Sequence, residues 1–332
     1  MLLLSVLDQS PVRTNSSAGA AVQETLELAE LADRLGYQRY WLAEHHGTPG
    51  LAGSCPEILV GAVAARTAHI RVGAGGVMLQ HYSSLKVAEQ FRMLHTLYPG
   101  RIDLGIGRAP GSDPRTARAL RRDDADFVQQ VADLLGFVHD ELPAAHPASG
   151  VLAMPRGPGA PEIWLLGSTD QSAACAAHFG TAFAFAHFIS GHGGPAVLTA
   201  YRQAFRPSPE LRAPRGSAAV FVVCADTETE ARRLAQSREL FLLGLYTGRP
   251  GPYPSVEEAE AYPYTARDRA IIEANRPRTI AGAPEQIHAR LLAFAEEHGV
   301  EELVIVTITH DPKARRRSYE LLAEVFGLEA RA

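Results

Sequence analysis

Strand-like and helix-like stretches alternate from one end of this chain to the other, and that alternation limits its fold more than any other feature. Residues 2–7 read as a strand. A helix follows from about Ala18, with Leu28, Leu31, Ala32 and Leu35 at i, i+3, i+4 and i+7 and Gly36 as its stop. Further strands are predicted over 39–43, 70–79, 101–106, 162–166, 181–185, 218–223 and 302–306. Helical patterns lie between them: 56–66, the run from Ser83 to the Pro99-Gly100 stop, and the stripe Ile287, Leu291, Phe294, Ala295. Asp311-Pro312 opens a last helix as N-cap and first-turn pair.

Strict β-α alternation demands parallel strands, because each crossover returns the chain in the same direction. Eight such units suit an α/β fold of the (β/α)8 TIM barrel type, which leaves no strand edge exposed. A doubly wound open sheet uses the same alternation. The chain has 332 residues and a barrel needs about 250, so roughly 80 should lie in insertions. The candidates are 111–160, rich in Pro, Gly and Arg, and 245–283, with Pro250, Pro252, Pro254 and Pro263. No repeat, linker or low-complexity boundary divides 1–332, which reads as one domain. The prolines and tyrosines of 245–283 suit a mobile lid; a static surface excursion is the alternative.

Composition removes several function classes. The opening run Met1-Leu2-Leu3-Leu4 breaks at Ser5 with no basic flank, and no stretch approaches a membrane span. Neither a signal peptide nor membrane attachment is expected. Cys55, Cys175 and Cys224 are odd in number and never form Cys-x-x-Cys, which excludes a disulfide framework and fits a reducing cytoplasm. A net charge of -5 argues against a nucleic-acid surface.

In a barrel, chemistry sits where strands run into the following loops. Four strand ends carry unusual residues: Glu44-His45-His46-Gly47, then Ala74-Gly75-Gly76, then Gly105-Ile106-Gly107-Arg108, then Gly167-Ser168-Thr169-Asp170-Gln171-Ser172. The last places a glycine and hydroxyls at a helix start, where free N–H groups suit a phosphate; a plain N-cap explains the same residues. Arg108 adds a possible bidentate partner for that anion, although an isolated arginine is more often in a surface ion pair. Glycines 105, 107 and 111 miss the dinucleotide fingerprint by one residue. Gly75-Gly76 inside an apolar strand marks a β-bulge or the close approach of a flat ring. His45 and His46 read as one packed and one solvated ring. No metal-ligand spacing is present, and His187 and His192 make poor ligands.

These segments, in this order, resemble the bacterial luciferase-like flavin-dependent monooxygenase family. The carrying stretches are Tyr40-Trp41-Leu42-Ala43-Glu44-His45-His46, Val72 to Leu79, Gly100 to Arg108, and Gly167-Ser168-Thr169 with Ala176-Ala177-His178-Phe179-Gly180. Leu4 to Pro11, His81-Tyr82-Ser83 and Thr307 to Asp311 look like a subgroup of single-component members that includes polyketide-pathway oxygenases. The similarity covers nearly the whole chain.

The resemblance implies a homodimeric barrel that binds reduced FMN at its mouth and activates O2. It implies a non-proline cis bond at Gly75-Gly76, with Ala74, beneath the flavin ring. Arg108, Gly167, Ser168, Thr169 and Ser172 would hold the phosphate. His45 would stand near the reactive edge as a proton donor or acceptor with a pKa near 6.5, with Glu44 as the second catalytic residue, either orienting it or paired elsewhere. His46 should point elsewhere. The thiol of luciferase itself is Gly107 here, and the family's second phosphate arginine has only Arg121 or Arg122 as guesses. The expected activity is oxidation of a small-molecule substrate with FMNH2 from a separate flavin reductase. The alternatives are hydride transfer with F420 on the same scaffold, a flavin-binding protein without turnover, and a metal hydrolase, for which ligands are wanting.

Overall fold

A computed structural model of the chain describes residues 2–120 and 126–331. The elements run β1 (Leu3–Asp8), α1 (Ala18–Arg34), β2 (Arg39–Leu42), α2 (Pro56–Arg66), β3 (Arg71–Met78), α3 (Ser84–Leu97), β4 (Ile102–Gly107), α4 (Pro114–Ala119) and α5 (Phe127–His139). Then come β5 (Glu162–Gly167), α6 (Asp170–Phe179), β6 (Ala182–Ala186), α7 (His187–Ser190), α8 (Gly194–Ala204), β7 (Gly216–Cys224) and α9 (Glu228–Tyr246). The chain finishes with α10 (Val256–Ala261), α11 (Ala266–Asn275), β8 (Thr279–Gly282), α12 (Pro284–His298), β9 (Glu302–Val306) and α13 (Pro312–Phe326).

Eight parallel strands, β1 to β7 and β9, close into a barrel: β6 pairs with both β5 and β7, and β9 with both β7 and β1. The (β/α)8 barrel expected from the alternation is therefore the fold. A ninth strand, β8, pairs with the end of β7 from Phe221↔Thr279 to Cys224↔Gly282. The sequence pattern missed it because four residues are too few to display a period.

Side chains alternate along each strand between two buried layers. Leu4, Val6, Tyr40, Leu42 and Val72 face the helices. Leu7, Trp41, Trp164, Ala184, Phe221 and Val304 fill the barrel. Helix α9 joins this inner layer, with Ala231, Leu234, Ala235 and Phe241 in the same cluster as Phe221 and Val223, so it covers the C-terminal mouth on the β7 side. Helix α5, in the middle of 111–160, packs on α3 as the wall helix of β4.

The lid expected from the prolines of 245–283 is instead packed. Tyr253 is 2% exposed and stacks on Phe241 with ring centroids 4.0 Å apart. Its backbone exchanges hydrogen bonds with the loop after β1: Tyr253 N–H to Val12 O at 2.8 Å, and Thr14 N–H to Tyr253 O at 2.8 Å. Buried aromatic area and paired backbone groups oppose opening.

A charge network closes the N-terminal end of the barrel. Arg39, 4% exposed, donates from Nε to Glu302 at 2.8 Å and from Nη1 to Asp103 at 2.9 Å, with Glu162 also 2.9 Å from Nη1. Arg71 donates to Asp103, Arg215 pairs with Glu162 at 2.8 Å, and the indoles of Trp41 and Trp164 donate to Asp103 and Glu162. Burial disfavours the Arg39 charge, but Asp103, Glu302 and Glu162 more than offset it and raise the pKa. Removing one partner from a buried set leaves charges uncompensated, which costs about 3–5 kcal/mol. Arg39→Met should lose about that much unfolding free energy in urea; a loss below about 1 kcal/mol contradicts the network's role.

Candidate active site at the barrel mouth

Four consecutive strands, β2 to β5, bring the sequence-predicted residues to one rim. Glu44 follows β2 and is 1% exposed. Its Oε1 pairs with His46 Nε2 at 2.7 Å and accepts from the Tyr82 hydroxyl at 2.8 Å, while Oε2 accepts from Met78 N–H at 2.9 Å. Of the two expectations for Glu44, the pairing elsewhere is the one found: the carboxylate serves His46 and the loop after β3. Two more bonds knit the neighbouring loop in, from His46 N–H to Gly111 O at 2.9 Å and between His81 Nε2 and Pro110 O at 2.7 Å.

His45 is held by its backbone, whose N–H donates to Gly53 O at 2.7 Å. Its buried Nδ1 has no hydrogen-bond partner. Burial, and secondarily His46, pull the imidazole down to about 4. The ring is thus neutral at pH 7, and the proton exchange expected from a pKa near 6.5 gives way to a neutral donor or acceptor. An orphaned buried nitrogen at a strand end fits a ligand that supplies the missing partner.

The Gly75-Gly76 peptide bond is cis, as the resemblance implied. The β3–β4 register shifts between Ala74 and Val77, so the bulge is also present. A Cβ on Gly75 would stand 2.7 Å from Leu7 Cδ1 and 2.9 Å from Trp41 Cβ, and one on Gly76 would strike Leu166 and Gly105. Packing inside the barrel alone therefore demands both glycines. Ala74 before them is fully buried.

Arg108, exposed after β4, donates from Nη1 to Gln171 Oε1 at 2.9 Å, which sets it at the N-terminus of α6. Among the described residues it has no carboxylate partner, so the surface ion pair is absent there. Gly167 ends β5, and a Cβ on it would strike Ser172. Thr169 is the N-cap, and the Ser172 hydroxyl donates to Thr169 O at 2.7 Å. Ser168 is half-buried just before it. The N-cap reading thus holds for Thr169 and Ser172, beside an arginine and a helix dipole that together attract an anion. Asp170 is the one acid of this helix. Arg121 and Arg122 lie outside the described residues.

Sequence reasoning missed a second buried network. Asp8, fully buried at the end of β1, accepts from Arg315 Nη2 at 2.7 Å, from Tyr40 OH and from Ser10 N–H at 2.8 Å. Arg315 Nε also donates to Thr307 O at 2.7 Å. A lone acid closing an apolar strand was the available signal; Arg315, in a run of three arginines, reads as solvated.

A parallel barrel with an anion-attracting rim and an orphaned histidine at its C-terminal mouth belongs to the class of (β/α)8 enzymes. A family profile described as luciferase-like monooxygenase matches residues 2–305, and the chain belongs to that family. The N-acetyl-S-alkylcysteine monooxygenase of Bacillus subtilis is 38% identical over 98% of each chain. The crystal structure of apo-MsnO8 superposes with a TM-score of 0.91 at 41% identity, covering 99% of both chains. At the level of fold alone, the oxygenating constituent of 3,6-diketocamphane monooxygenase from Pseudomonas putida, solved with FMN, has a TM-score of 0.71 at 20% identity, covering 98% of this chain and 97% of that one. No helix among the described residues is long and apolar enough to cross a membrane.

Two expectations separate scaffold from site. Glu44→Ala strands three donors and should cost at least about 3 kcal/mol, measured in urea, since each buried unpaired group costs about 1–3 kcal/mol. His45 binds a proton near pH 6.5 when unfolded and only near 4 when folded, so its contribution is complete above 6.5 and lost as pH falls towards 4. His45→Ala should flatten the fall of stability across that window; an unchanged slope contradicts the buried neutral ring.

Proposed function

We propose that this protein is a monooxygenase that takes reduced FMN from a separate flavin reductase and uses O2 to oxidise a small organic substrate. The observation that carries this reading is Arg108, which has no acid partner among the described residues and stands at the N-terminus of α6. Strands in a sheet lie about 4.8 Å apart, so β2 to β5 span about 14 Å, room for an extended mononucleotide. In this reading Arg108 and the Gly167, Ser168, Thr169 and Ser172 turn hold the phosphate. The backbone of Ala74, Gly75 and Gly76 would lie under the ring, and His45 Nδ1 would be free to meet a polar group of it. Glu44 is a positioning residue, fixing His46, Tyr82 and Met78 around that group.

When bound, the reduced flavin supplies the two electrons that activate O2. The chain's own part is to exclude water and to offer His45 as a neutral hydrogen-bonding group. The relative named for N-acetyl-S-alkylcysteine makes a thioether the first substrate to test. Exposed apolar residues on neighbouring helices, Ile58 on α2 with Met93 and Leu97 on α3, support the homodimer, which sedimentation should show. A cytoplasmic protein of one luciferase-like domain, 1–332, with excursions near 111–160 and 245–283, completes the proposal.

A charge-assisted hydrogen bond contributes about 1.5–3 kcal/mol, so Arg108→Ala should weaken FMN binding roughly ten- to more than a hundredfold. Riboflavin, without the phosphate, should bind both proteins alike. FMN binding within a factor of two of wild type would show that the phosphate lies elsewhere, and tight F420 binding without FMN binding would favour hydride transfer. His45→Ala should weaken FMN binding by no more than about tenfold, the worth of one neutral hydrogen bond, but lose N-acetyl-S-benzylcysteine oxidation by about 10²–10⁴-fold, with more hydrogen peroxide released. Full retention of coupled turnover removes His45 from the chemistry.

A further inference from the structure

Four arginines of the described residues are almost fully buried: Arg39, Arg92, Arg238 and Arg315. Three have acids: Arg39 has Asp103 and Glu302, Arg92 has Asp140, and Arg315 has Asp8. Arg238, 5% exposed, has none, and no carboxylate, carbonyl or hydroxyl among the described residues accepts a hydrogen bond from it. Its guanidinium carbon stands 4.0 Å from the centroid of the Phe221 ring. Glu239, the adjacent acid, is taken by Arg276 at 3.0 Å.

The surroundings repeat the pattern. Tyr253, Arg278, Tyr246 and Glu239 are the ionisable groups that bear on Arg238. Arg278 donates to the Tyr246 hydroxyl at 2.7 Å and likewise has no acid partner among the described residues. Burial pulls the Arg238 pKa down to about 10, and the side chain remains charged at neutral pH. Proteins retain buried charges where a partner completes them. Phe221 belongs to the inner layer of the barrel and α9 packs over it, while Arg238 also lines a small cavity with Leu242, Ile272 and Asn275 between α9 and α11; of these two surroundings the inner layer faces the mouth.

We propose that Arg238, seconded by Arg278, binds a carboxylate of the organic substrate and thereby sets specificity for anionic substrates. The inference rests on the reading of the mouth as the substrate-binding face. It places substrate charge beside β7, two strand positions along the rim from the Arg108 set at β4 and β5. The apolar residues around Phe221 would take the rest of the molecule.

Phenylacetate and phenylacetamide, alike in size and different in charge, test this by calorimetric titration into flavin-free wild-type, Arg238→Met and Arg238→Lys proteins. Wild type should prefer the acid by about ten- to a hundredfold, as expected for a charge-assisted bond in a buried site. Arg238→Met should abolish the preference, and Arg238→Lys should keep part of it. FMN affinity, measured separately, should be equal in all three. Arg238→Met should also denature at no lower urea concentration than wild type, because it removes an uncompensated charge; a clear loss of stability would mark a structural residue instead. Equal binding of acid and amide by wild type, a preference that survives in Arg238→Met, or a parallel loss of FMN affinity overturns the proposal. Since the titrations contain no flavin, failure of FMN to bind would overturn the cofactor reading and leave this result standing.

Discussion

The rest of this structure depends on the charges that close the lower end of the barrel. Arg39 is the hub, joined to residues at the starts of β4, β5 and β9. Neither a buried arginine nor the acids around it can stand alone at low dielectric. The network therefore sets which strands meet and at what height. With register fixed from below, the upper ends can carry features that would weaken an ordinary sheet. Two consecutive glycines in β3 and a histidine ring with an unpaired nitrogen after β2 are such features.

The two ends of the barrel thus differ in how their polar groups are satisfied. At the base, Arg39, Asp103, Glu162 and Glu302 complete one another. At the mouth, Glu44 and Asp8 are held by several donors and serve as braces, whereas among the described residues His45 Nδ1 has no partner, Arg108 has only Gln171, and Arg238 has no acid. In the proposed reading Glu44, with three donors on its carboxylate, supports the site, and His45 serves it as a neutral ring.

Much of this was legible in the sequence because strand parity and helical stripes repeat over long segments. Eight barrel strands follow from apolar runs such as 302–306, and the cis bond and the Arg108 turn from a family resemblance at ordered strand ends. What escaped was set by tertiary contact. β8 is four residues long, and α5 lay inside a stretch whose prolines and glycines suggested an insertion. The packing of Tyr253 on Phe241 is a long-range contact that its proline neighbours conceal. Arg238 looks like any polar residue of an amphipathic helix until its burial is known. Glu44 and His46 are two residues apart, a spacing that gives no hint that Tyr82 and Met78 share the carboxylate.

Two separate anion sites are proposed at one mouth, a phosphate site at β4 and β5 and a carboxylate site at β7. A crystal of the protein soaked with FMN tests this most directly. The phosphate should appear against Arg108 and the first turn of α6, with the ring over Gly75-Gly76 and Arg238 left free. A phosphate bound between Arg238 and Arg278, with Arg108 still on Gln171, would contradict the proposal.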